Sequence, residues 1–232
     1  MIPQKIHYIW FGGKKNKIAL EAIKTWRRYA SEYKIIEWNE HNLPKFQNKF
    51  YQTALKNKDY AFASDYARLK VLQKYGGIYM DTDMYLLQNP SQIIKDKDLV
   101  FSIQDPNVII STSFIAAEPN QDFIKAAISL YEELPYNKNE NRPNTEVLSP
   151  LIFKMYNFKH TDRTQSKGKA VAYSSNILLQ PSFKSVAVHI GEKVWAPHTK
   201  HDQLRIRMRQ HIKNPFEAGA FRIVNDIFRK LI

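Results

Sequence analysis

The sequence predicts an α/β fold, in which a mostly parallel central sheet is flanked by helices. Short apolar runs alternate with segments of helical periodicity along most of the chain. The 232 residues are 44% hydrophobic and 13% aromatic, which is enough apolar material for one well-buried core. We therefore expect one domain over residues 1–232, with ligands bound beyond the carboxyl ends of the strands.

The first 38 residues predict a strand, a helix and a second strand. Residues 6–11, IHYIWF, form an apolar run that ends at Gly12 and Gly13, as a buried strand feeding a loop does. Apolar residues then recur at roughly helical spacing: Ile18, Ala22, Trp26 and Tyr29. Residues 33–38 follow as the second strand.

The next predicted helix begins near Asp59 and ends at the pair Gly76 and Gly77. Its apolar residues lie three and four positions apart: Phe62, Tyr66, Leu69 and Leu72. Residues 78–80 then predict a short strand that ends directly before Asp81.

The middle of the chain predicts two further strands and two further helices. The strands are expected over residues 99–103 and 108–116, and the helices over residues 122–134 and 147–156. The polar stretch 135–146, PYNKNENRPNTE, is expected to be a mobile loop.

Composition restricts the partners and the metal chemistry. A formal net charge of +13 indicates an acidic partner, which leaves nucleic acid, anionic lipid and phosphorylated small molecules open. Because the chain has no cysteine, a metal site must use oxygen and imidazole ligands. We expect no signal peptide and no membrane span, and hence a cytoplasmic protein, free or peripheral at the inner face of the membrane.

Two pairs of charged residues lie on the segment 64–83, SDYARLKVLQKYGGIYMDTD. Asp81 and Asp83 follow a strand end, where a turn lets both carboxylates reach one cation that bridges phosphate oxygens. Asp65 and Arg68 are three apart and share one helix face. The alternatives are a solvated turn for the first pair and a surface ion pair for the second.

The order S-D-x-x-R, then G-G-I-Y-x-D-x-D, resembles a family of sugar-nucleotide-dependent glycosyltransferases. That family includes capsular polysaccharide synthesis enzymes, yeast outer-chain mannosyltransferases and the catalytic domains of large glucosylating bacterial toxins. The resemblance implies a GT-A-like nucleotide-diphospho-sugar transferase fold. It also implies Mn²⁺ or Mg²⁺ as cofactor and a nucleoside diphosphate sugar, a UDP-sugar by preference, as donor.

The resemblance assigns a role to each charged residue of the motif. It implies that Asp65 holds hydroxyls of the donor sugar and that Arg68 contacts sugar or phosphate. Asp81 would contact ribose and metal, and Asp83 would be the principal metal ligand. Arginine suits its place because its planar fork reaches two acceptors and keeps its charge.

The resemblance extends to both ends of the chain. IPQKIHYIWFGG matches the opening strand of the family, which implies that Trp10 stacks on the nucleobase; the alternative is a core residue. In VAVHIGEKVWAPH, His189 and Trp195 match a closing motif, with His189 as a metal ligand or else as a satisfied histidine at a strand end. Val194 stands where the family has serine, and the family's Gly-Pro is represented only by residues 149–150.

The function implied is a metal-dependent transferase that retains the anomeric configuration, with a saccharide or lipid-linked saccharide as acceptor, in capsular or surface polysaccharide synthesis. The donor base is uridine or, with mannose, guanosine. Two alternatives stay open from the residues. One is a glycoside hydrolase with two carboxylates, and the other is a nucleic-acid-binding module driven by charge. Nucleic acid is not expected as a partner of the transferase.

Residues 200–232 predict a basic amphipathic helical tail. On a helix its apolar residues share one arc: Ala220, Phe221, Val224, Ile227, Phe228, Leu231 and Ile232. Two interpretations are open, a helix docked on the core and a helix on an anionic membrane surface.

Overall fold

The structure is a computed structural model, and it describes residues 1–104, 107–137, 142–191 and 199–231, without the side chains of residues 201 and 227–231. The strands are β1 (Lys5–Ile9), β2 (Lys34–Trp38), β3 (Gly77–Met80), β4 (Met84–Leu86), β5 (Leu99–Gln104), β6 (Ile109–Ala117), β7 (Gln165–Lys167), β8 (Ala170–Tyr173) and β9 (Ala187–His189). The helices are α1 (Lys17–Tyr29), α2 (Lys49–Lys56), α3 (Tyr60–Tyr75), α4 (Ser91–Ile94), α5 (Asp122–Glu133), α6 (Asn144–Tyr156), α7 (Ser175–Leu178), α8 (Lys200–Arg209) and α9 (Pro215–Leu231).

A seven-stranded sheet with the order β2-β1-β3-β6-β5-β8-β7 forms the centre of the molecule. Strands β2, β1, β3, β5 and β8 run in one direction, and β6 and β7 run against them. Five of the seven strands are therefore parallel to one another, as predicted. A separate two-stranded sheet pairs β4 with β9.

The core consists of two main apolar clusters, one on each face of the large sheet. Along β3, Tyr79 belongs to one cluster while Ile78 and Met80 belong to the other, because successive strand residues point to opposite faces. Residues of α2, α3, α5 and α6 join the first cluster, and residues of α1 and β4 join the second. Helices on both faces are what an α/β sheet requires.

Helix α1 confirms the predicted amphipathic segment. Asn16 caps its start by accepting a hydrogen bond from the Ala19 amide at 2.9 Å. Its apolar stripe packs on the sheet, and the fully buried Trp26 donates its indole N–H to the Met84 carbonyl at 2.7 Å. That bond ties α1 to β4.

The glycine pair ends α3 for a steric reason. Gly76 has φ +57°, and a Cβ there would lie 2.6 Å from the Pro119 ring. Gly77 has φ +95°, and a Cβ there would lie 2.7 Å from the Lys5 carbonyl of β1. Only glycine allows the chain to leave the helix and enter β3 this close to its neighbours.

Every strand and helix predicted from an apolar run is confirmed within a few residues. The prediction missed α2 and six short elements, β4, α4, β7, β8, α7 and β9. The short elements have three or four residues, which are too few to show a period. Helix α6 begins at Asn144 and so takes up the end of the predicted loop 135–146, whose residues 138–141 lie outside the described residues.

The basic tail forms two helices, α8 and α9. The start of α9 docks on the body of the protein, where Ala218 joins a small apolar cluster with Leu87, Val188 and Ile212, and Phe221 packs against it. Within the described residues, no helix is long and apolar enough to cross a membrane.

Candidate active site

The candidate site lies where β1 and β3 end at the same edge of the sheet. These parallel strands are in register with His7 opposite Tyr79, so Trp10 and Asp81 both follow a strand end at this edge. The Asp81 amide donates to the Ser113 carbonyl of β6 at 2.9 Å, and the Met84 amide donates back to the Asp81 carbonyl at 3.0 Å. These bonds fix a tight turn over residues 81–84.

Asp65, Arg68 and Asp81 form a row of alternating charge beside this turn. Arg68 Nη2 lies 2.8 Å from Asp65 Oδ1, and Arg68 Nη1 lies 3.2 Å from Asp81 Oδ1. The side chains of Asp65 and Arg68 are buried, whereas that of Asp81 is 31% exposed. Asp65 and Arg68 therefore form an ion pair, and the pair is buried, unlike the surface ion pair that was the alternative.

Each of the three guanidinium nitrogens of Arg68 contacts a protein acceptor. Nε donates to the Ser64 carbonyl at 3.2 Å, Nη2 to the Ser64 hydroxyl at 3.0 Å, and Nη1 to the Thr112 carbonyl at 2.9 Å, in addition to the two carboxylates. The ring of Tyr79 lies under the guanidinium at 4.5 Å. Arg68 is thus held rigidly, with 4% of its surface exposed.

Two residues that the sequence did not single out, Thr112 and Asn144, complete a closed circuit of contacts. The Thr112 hydroxyl donates to Asn144 Oδ1 at 2.7 Å, and Asn144 Nδ2 donates to Asp65 Oδ1 at 2.5 Å. Asp65 contacts Arg68, which donates to the Thr112 carbonyl. Because the circuit joins α3, β6 and α6, no local pattern in the sequence indicates it.

The circuit perturbs the protonation of its members. Burial raises the pKa of Asp65 to about 7; the charge of Arg68 lowers it and that of Asp81 raises it. Burial lowers the pKa of Arg68, but the charges of Asp81 and Asp65 outweigh this effect and raise it above its ordinary value. Burial also raises the pKa of Tyr79, whose hydroxyl donates to Asp81 Oδ1 at 2.9 Å.

Asp83 has a different partner, His189. Strand β4 begins after Asp83 and pairs with β9, which places Met84 opposite His189. As a result, Asp83 Oδ2 lies 3.0 Å from His189 Nε2. Burial lowers the pKa of His189, but the Asp83 carboxylate outweighs burial and raises it above 6.5.

The donor atoms suit a divalent cation, but they are not gathered around one point. Carboxylate oxygen and imidazole nitrogen are the ligands that Mn²⁺ accepts. In the described part of the chain, no group of three acidic or histidine side chains is arranged to hold a metal ion. Asp83 and His189 are adjacent, whereas Asp81 Oδ1 faces Arg68 and Tyr79. The metal assignment of Asp81, Asp83 and His189 stays a prediction.

Arg209 of α8 holds His189 from behind. This buried arginine donates from Nη1 to the His189 carbonyl at 2.7 Å and from Nη2 to Gln180 Oε1 at 2.6 Å. The His189 amide donates to the Leu179 carbonyl at 3.0 Å. With both backbone groups bonded, the backbone that carries the imidazole is fixed, and the imidazole itself contacts Asp83.

The remaining predicted residues are less informative. Trp10 is half-buried, packs against the core and donates its indole N–H to the Gly13 carbonyl at 2.9 Å. Its stacking on a nucleobase stays a prediction. Trp195 lies outside the described residues. Ser149 is buried inside α6 and accepts the Ile110 amide at 2.8 Å, a structural contact.

Comparison with known proteins gives the geometry a context. Residues 18–100, a little over a third of the chain, match the family model described as "Glycosyltransferase sugar-binding region containing DXD motif". The PaToxG glycosyltransferase is 19% identical with a TM-score of 0.54, over 66% of this chain and 70% of that one. The apo form of the glycosyltransferase GlyE from Streptococcus pneumoniae is 11% identical with a TM-score of 0.52, over 97% of this chain and 63% of GlyE. No curated protein sequence matches.

This chain therefore spans less than two thirds of GlyE. The two structures share its fold, and the matched sequence region contains the Asp81-Thr82-Asp83 motif together with Asp65 and Arg68. The predicted GT-A-type α/β fold is thus confirmed by the shared fold. The predicted enzyme class, a glycosyltransferase, is confirmed by the family match over residues 18–100.

Proposed function

We propose that this single-domain glycosyltransferase is metal-dependent and retaining, and that it moves a hexose from a UDP-sugar to a saccharide or lipid-linked saccharide. Such a transfer fits the synthesis of capsular or other surface polysaccharide. The acceptor oxygen replaces the diphosphate at the anomeric carbon on the same face, and the acceptor proton leaves with the diphosphate. The observation that supports this proposal most is the row of Asp65, Arg68 and Asp81 near the end of β3, beside the pair of Asp83 and His189.

Asp65 is proposed to accept hydrogen bonds from hydroxyls of the donor sugar. Arg68 and Asn144 both contact its Oδ1, so the carboxylate is oriented before any ligand arrives. Such preorganisation favours a polar ligand because the protein has already met the cost of ordering the side chain.

Arg68 is proposed to act on the ligand mainly through its charge. All of its nitrogens contact protein acceptors and its surface is 4% exposed, so direct contact with sugar or phosphate would require an exchange of partners. A buried cation at this position stabilises negative charge that accumulates on a departing diphosphate. It also holds Asp81 with one edge of its carboxylate toward solvent, where a ribose hydroxyl would bind.

Asp81, Asp83 and His189 are the residues proposed to hold Mn²⁺ or Mg²⁺. When bound, the cation would neutralise charge on the diphosphate. Asp83 and His189 supply one oxygen and one nitrogen at the same place, and Arg209 keeps the histidine there. Trp10 is proposed to stack on the nucleobase and Trp195 to contact the donor.

A thermal-shift panel of nucleoside diphosphates, with and without Mn²⁺, tests this function. A nucleotide at 100 times its Kd stabilises a protein by about 2.7 kcal/mol. We expect UDP with Mn²⁺ to raise the melting temperature more than UDP alone or GDP with Mn²⁺. If no nucleoside diphosphate changes the melting temperature in the presence of Mn²⁺, the proposed function is wrong. A larger shift with GDP would move the donor to a guanosine carrier.

The metal assignment is tested by Asp83→Asn, which keeps the size of the side chain and removes its charge. We expect turnover to fall by on the order of 10²–10³-fold, the usual effect of losing one stabilising group in the transition state. Asp162→Asn is the matched control, since Asp162 accepts two hydrogen bonds from Ser175 at 2.6 Å near α7. The control should lose about 1 kcal/mol of stability and keep its turnover. Full turnover of Asp83→Asn would refute the assignment.

In cells, the enzyme is proposed to work in the cytoplasm and to sit peripherally on an anionic membrane through residues 200–232. A lipid-linked acceptor would bring its sugar to the same surface. The net charge of +13 is of the sign that an anionic surface attracts.

A further inference from the structure

Large apolar side chains are exposed around the start of α9. Phe216 is 74% exposed, Ile223 52% and Val224 43%, and Phe183 on the turn between α7 and β9 is 53% exposed. In the helix, positions 216, 220, 223 and 224 face one side. Phe221 and Ala218 instead pack toward the body of the protein. Helix α9 therefore docks with one face and leaves a second apolar face uncovered.

Phe183 belongs to this uncovered face although it lies far away in sequence. Its ring is 6.1 Å from that of Phe216 in an edge-on arrangement. Gly219 makes room for it, because a Cβ at this position would lie 2.3 Å from the Phe183 ring. The helix thus supports Phe183 from one side while half of the aromatic side chain stays in solvent.

The turn that carries Phe183 is fixed by hydrogen bonds. The Ser182 amide donates to the Ser185 hydroxyl at 2.8 Å, and the Lys184 amide donates to the Ser182 hydroxyl at 3.0 Å. Both serine hydroxyls also donate to backbone carbonyls, Ser182 to Asn176 at 2.6 Å and Ser185 to Gln180 at 2.9 Å. These bonds fix the backbone of the turn on which Phe183 is exposed.

The surroundings of the uncovered face are basic. Lys184 follows Phe183 directly, Lys213 lies just before α9 and Arg222 precedes Ile223, and all three cations are exposed. Exposed aromatic residues next to cations suit a bilayer surface, where rings enter the headgroup region and cations meet lipid phosphate. A second copy of the chain fits less well, because it would bring the same positive charge to the contact.

We propose that Phe183, Phe216, Ile223 and Val224, which we call the apolar face, dock the enzyme on a bilayer of anionic phospholipid, with the exposed cations Lys184, Lys213 and Arg222 next to them in the chain. The membrane contact is therefore built from two distant parts of the chain, the α7–β9 turn and α9. Of the two aromatic residues of the apolar face, Phe183 lies on the turn and Phe216 lies on α9.

The apolar face is also close to the candidate site along the chain. Phe183 precedes His189 by six residues, which span at most about 20 Å when fully extended. Docking through Phe183 would thus keep Asp83 and His189 within reach of a sugar linked to a lipid. This part of the inference rests on the proposed transfer to a lipid-linked acceptor, and the docking itself refines the peripheral membrane contact proposed above.

Vesicle co-sedimentation tests the inference with the full chain. We expect binding to vesicles of phosphatidylcholine mixed with phosphatidylglycerol, weaker binding to pure phosphatidylcholine, and weakening by salt. The double variant Phe183→Ser and Phe216→Ser should bind the mixed vesicles on the order of tenfold more weakly, since two aromatic rings no longer enter the interface. Lys184→Glu should weaken binding as well, without touching the aromatic contact.

Matched controls come from exposed apolar residues elsewhere. Leu130 on α5 is 38% exposed and Met155 on α6 is 40% exposed, so Leu130→Ser and Met155→Ser should bind the vesicles as the wild type does. The melting temperature of every variant without ligand shows whether the protein is folded. The shift of the wild type with UDP and Mn²⁺ separates the two proposals, because its absence counts against the function and not against docking.

Three results would overturn the docking proposal. One is equal binding of the wild type to charged and uncharged vesicles, or no binding to either. Another is unchanged binding of the double variant while it keeps its melting temperature. The third is a wild type that forms dimers which the double variant loses, since the apolar face would then be a contact between two copies.

Discussion

Two buried polar clusters lie on neighbouring elements of this protein, and they differ in charge. The structural cluster is His7, Trp38 and Gly76: the fully buried His7 donates from Nε2 to the Gly76 carbonyl at 3.0 Å and accepts the Trp38 indole N–H at 3.0 Å on Nδ1. The site cluster is Asp65, Arg68, Asp81, Thr112 and Asn144. The first is neutral and closed, and the second contains three ionisable groups and reaches solvent at Asp81.

The difference is the one expected between a packing cluster and a candidate binding site. In the structural cluster each polar atom of the imidazole has one partner, and burial lowers the pKa of His7 to about 4, which keeps the ring neutral. Such a cluster satisfies the hydrogen bonds of buried polar groups and leaves no ring nitrogen of His7 available to a ligand. The site cluster buries charges at a cost that packing alone would avoid, and a partly exposed carboxylate is left at its end. That pattern is typical of a binding site.

Among variants of these two clusters, the largest effect is expected from Asn144→Ala, which opens the site cluster. Asp65 and Thr112 each lose a hydrogen-bond partner, so the carboxylate is no longer held in place. Loss of a residue that orients a binding group typically costs about 10–100-fold, and we expect that loss in kcat/KM for the donor. Kinetics with a UDP-sugar measures it.

Asn48→Ala is the matched control for this variant. Asn48 is also buried, but it caps α2 by accepting the Tyr51 amide at 2.8 Å. Its loss should cost about 1 kcal/mol of folding stability and leave kcat/KM unchanged. If Asn144→Ala behaves like this control, Asn144 belongs with the structural contacts and the comparison between the clusters fails.

The next effect is a pH dependence of opposite sign in the two clusters. Asp65 has its pKa raised from 3.8 to about 7 by burial, so its contribution to stability is fully present below about pH 4 and is lost as the pH rises through 7. His7 has its pKa lowered from 6.5 to about 4, so its contribution is fully present above pH 6.5 and is lost as the pH falls through 4.

Urea unfolding at pH 7 and pH 5 separates these contributions. In the wild type, Asp65 takes up a proton between pH 7 and pH 5, and this raises the free energy of unfolding. Asp65→Asn removes this gain, so acidification should lower the free energy of unfolding of the variant by on the order of 2 kcal/mol more than that of the wild type. His7→Gln should have the opposite effect, so acidification should lower the free energy of unfolding of this variant by a similar amount less than that of the wild type. If both variants change the pH dependence of the free energy of unfolding in the same direction, the two clusters do not differ as proposed.

The smallest effect is expected from Trp38→Phe in the structural cluster. The change removes the indole donor to His7 and keeps an aromatic ring against Tyr75, on which Trp38 stacks at 5.3 Å. We expect a loss of about 1 kcal/mol in the free energy of unfolding and no change in kcat/KM. A drop in kcat/KM beyond a factor of about two would show that the structural cluster also supports the site.

Sequence analysis predicted most of the regular elements and singled out the charged members of the candidate site. The strand before Asp81 and the helix carrying Asp65 and Arg68 follow from local periodicity and from Gly76-Gly77, which the backbone requires there. Asn144 was missed because it comes from a polar stretch that predicts only a loop. The partners of Asp83 were also hidden, since the pairing of β4 with β9 joins segments about a hundred residues apart.

The sequence by itself determined the α/β class, the order of the main elements, the positive charge and the motif Asp81-Thr82-Asp83, because each depends on neighbouring residues or on composition. Tertiary structure decided which groups meet. It turned Asp81 toward Arg68 and Asp83 toward His189, and it placed Phe183 beside Phe216. These contacts join residues that are distant in sequence, and their energies depend on burial and direction, which a linear pattern does not contain.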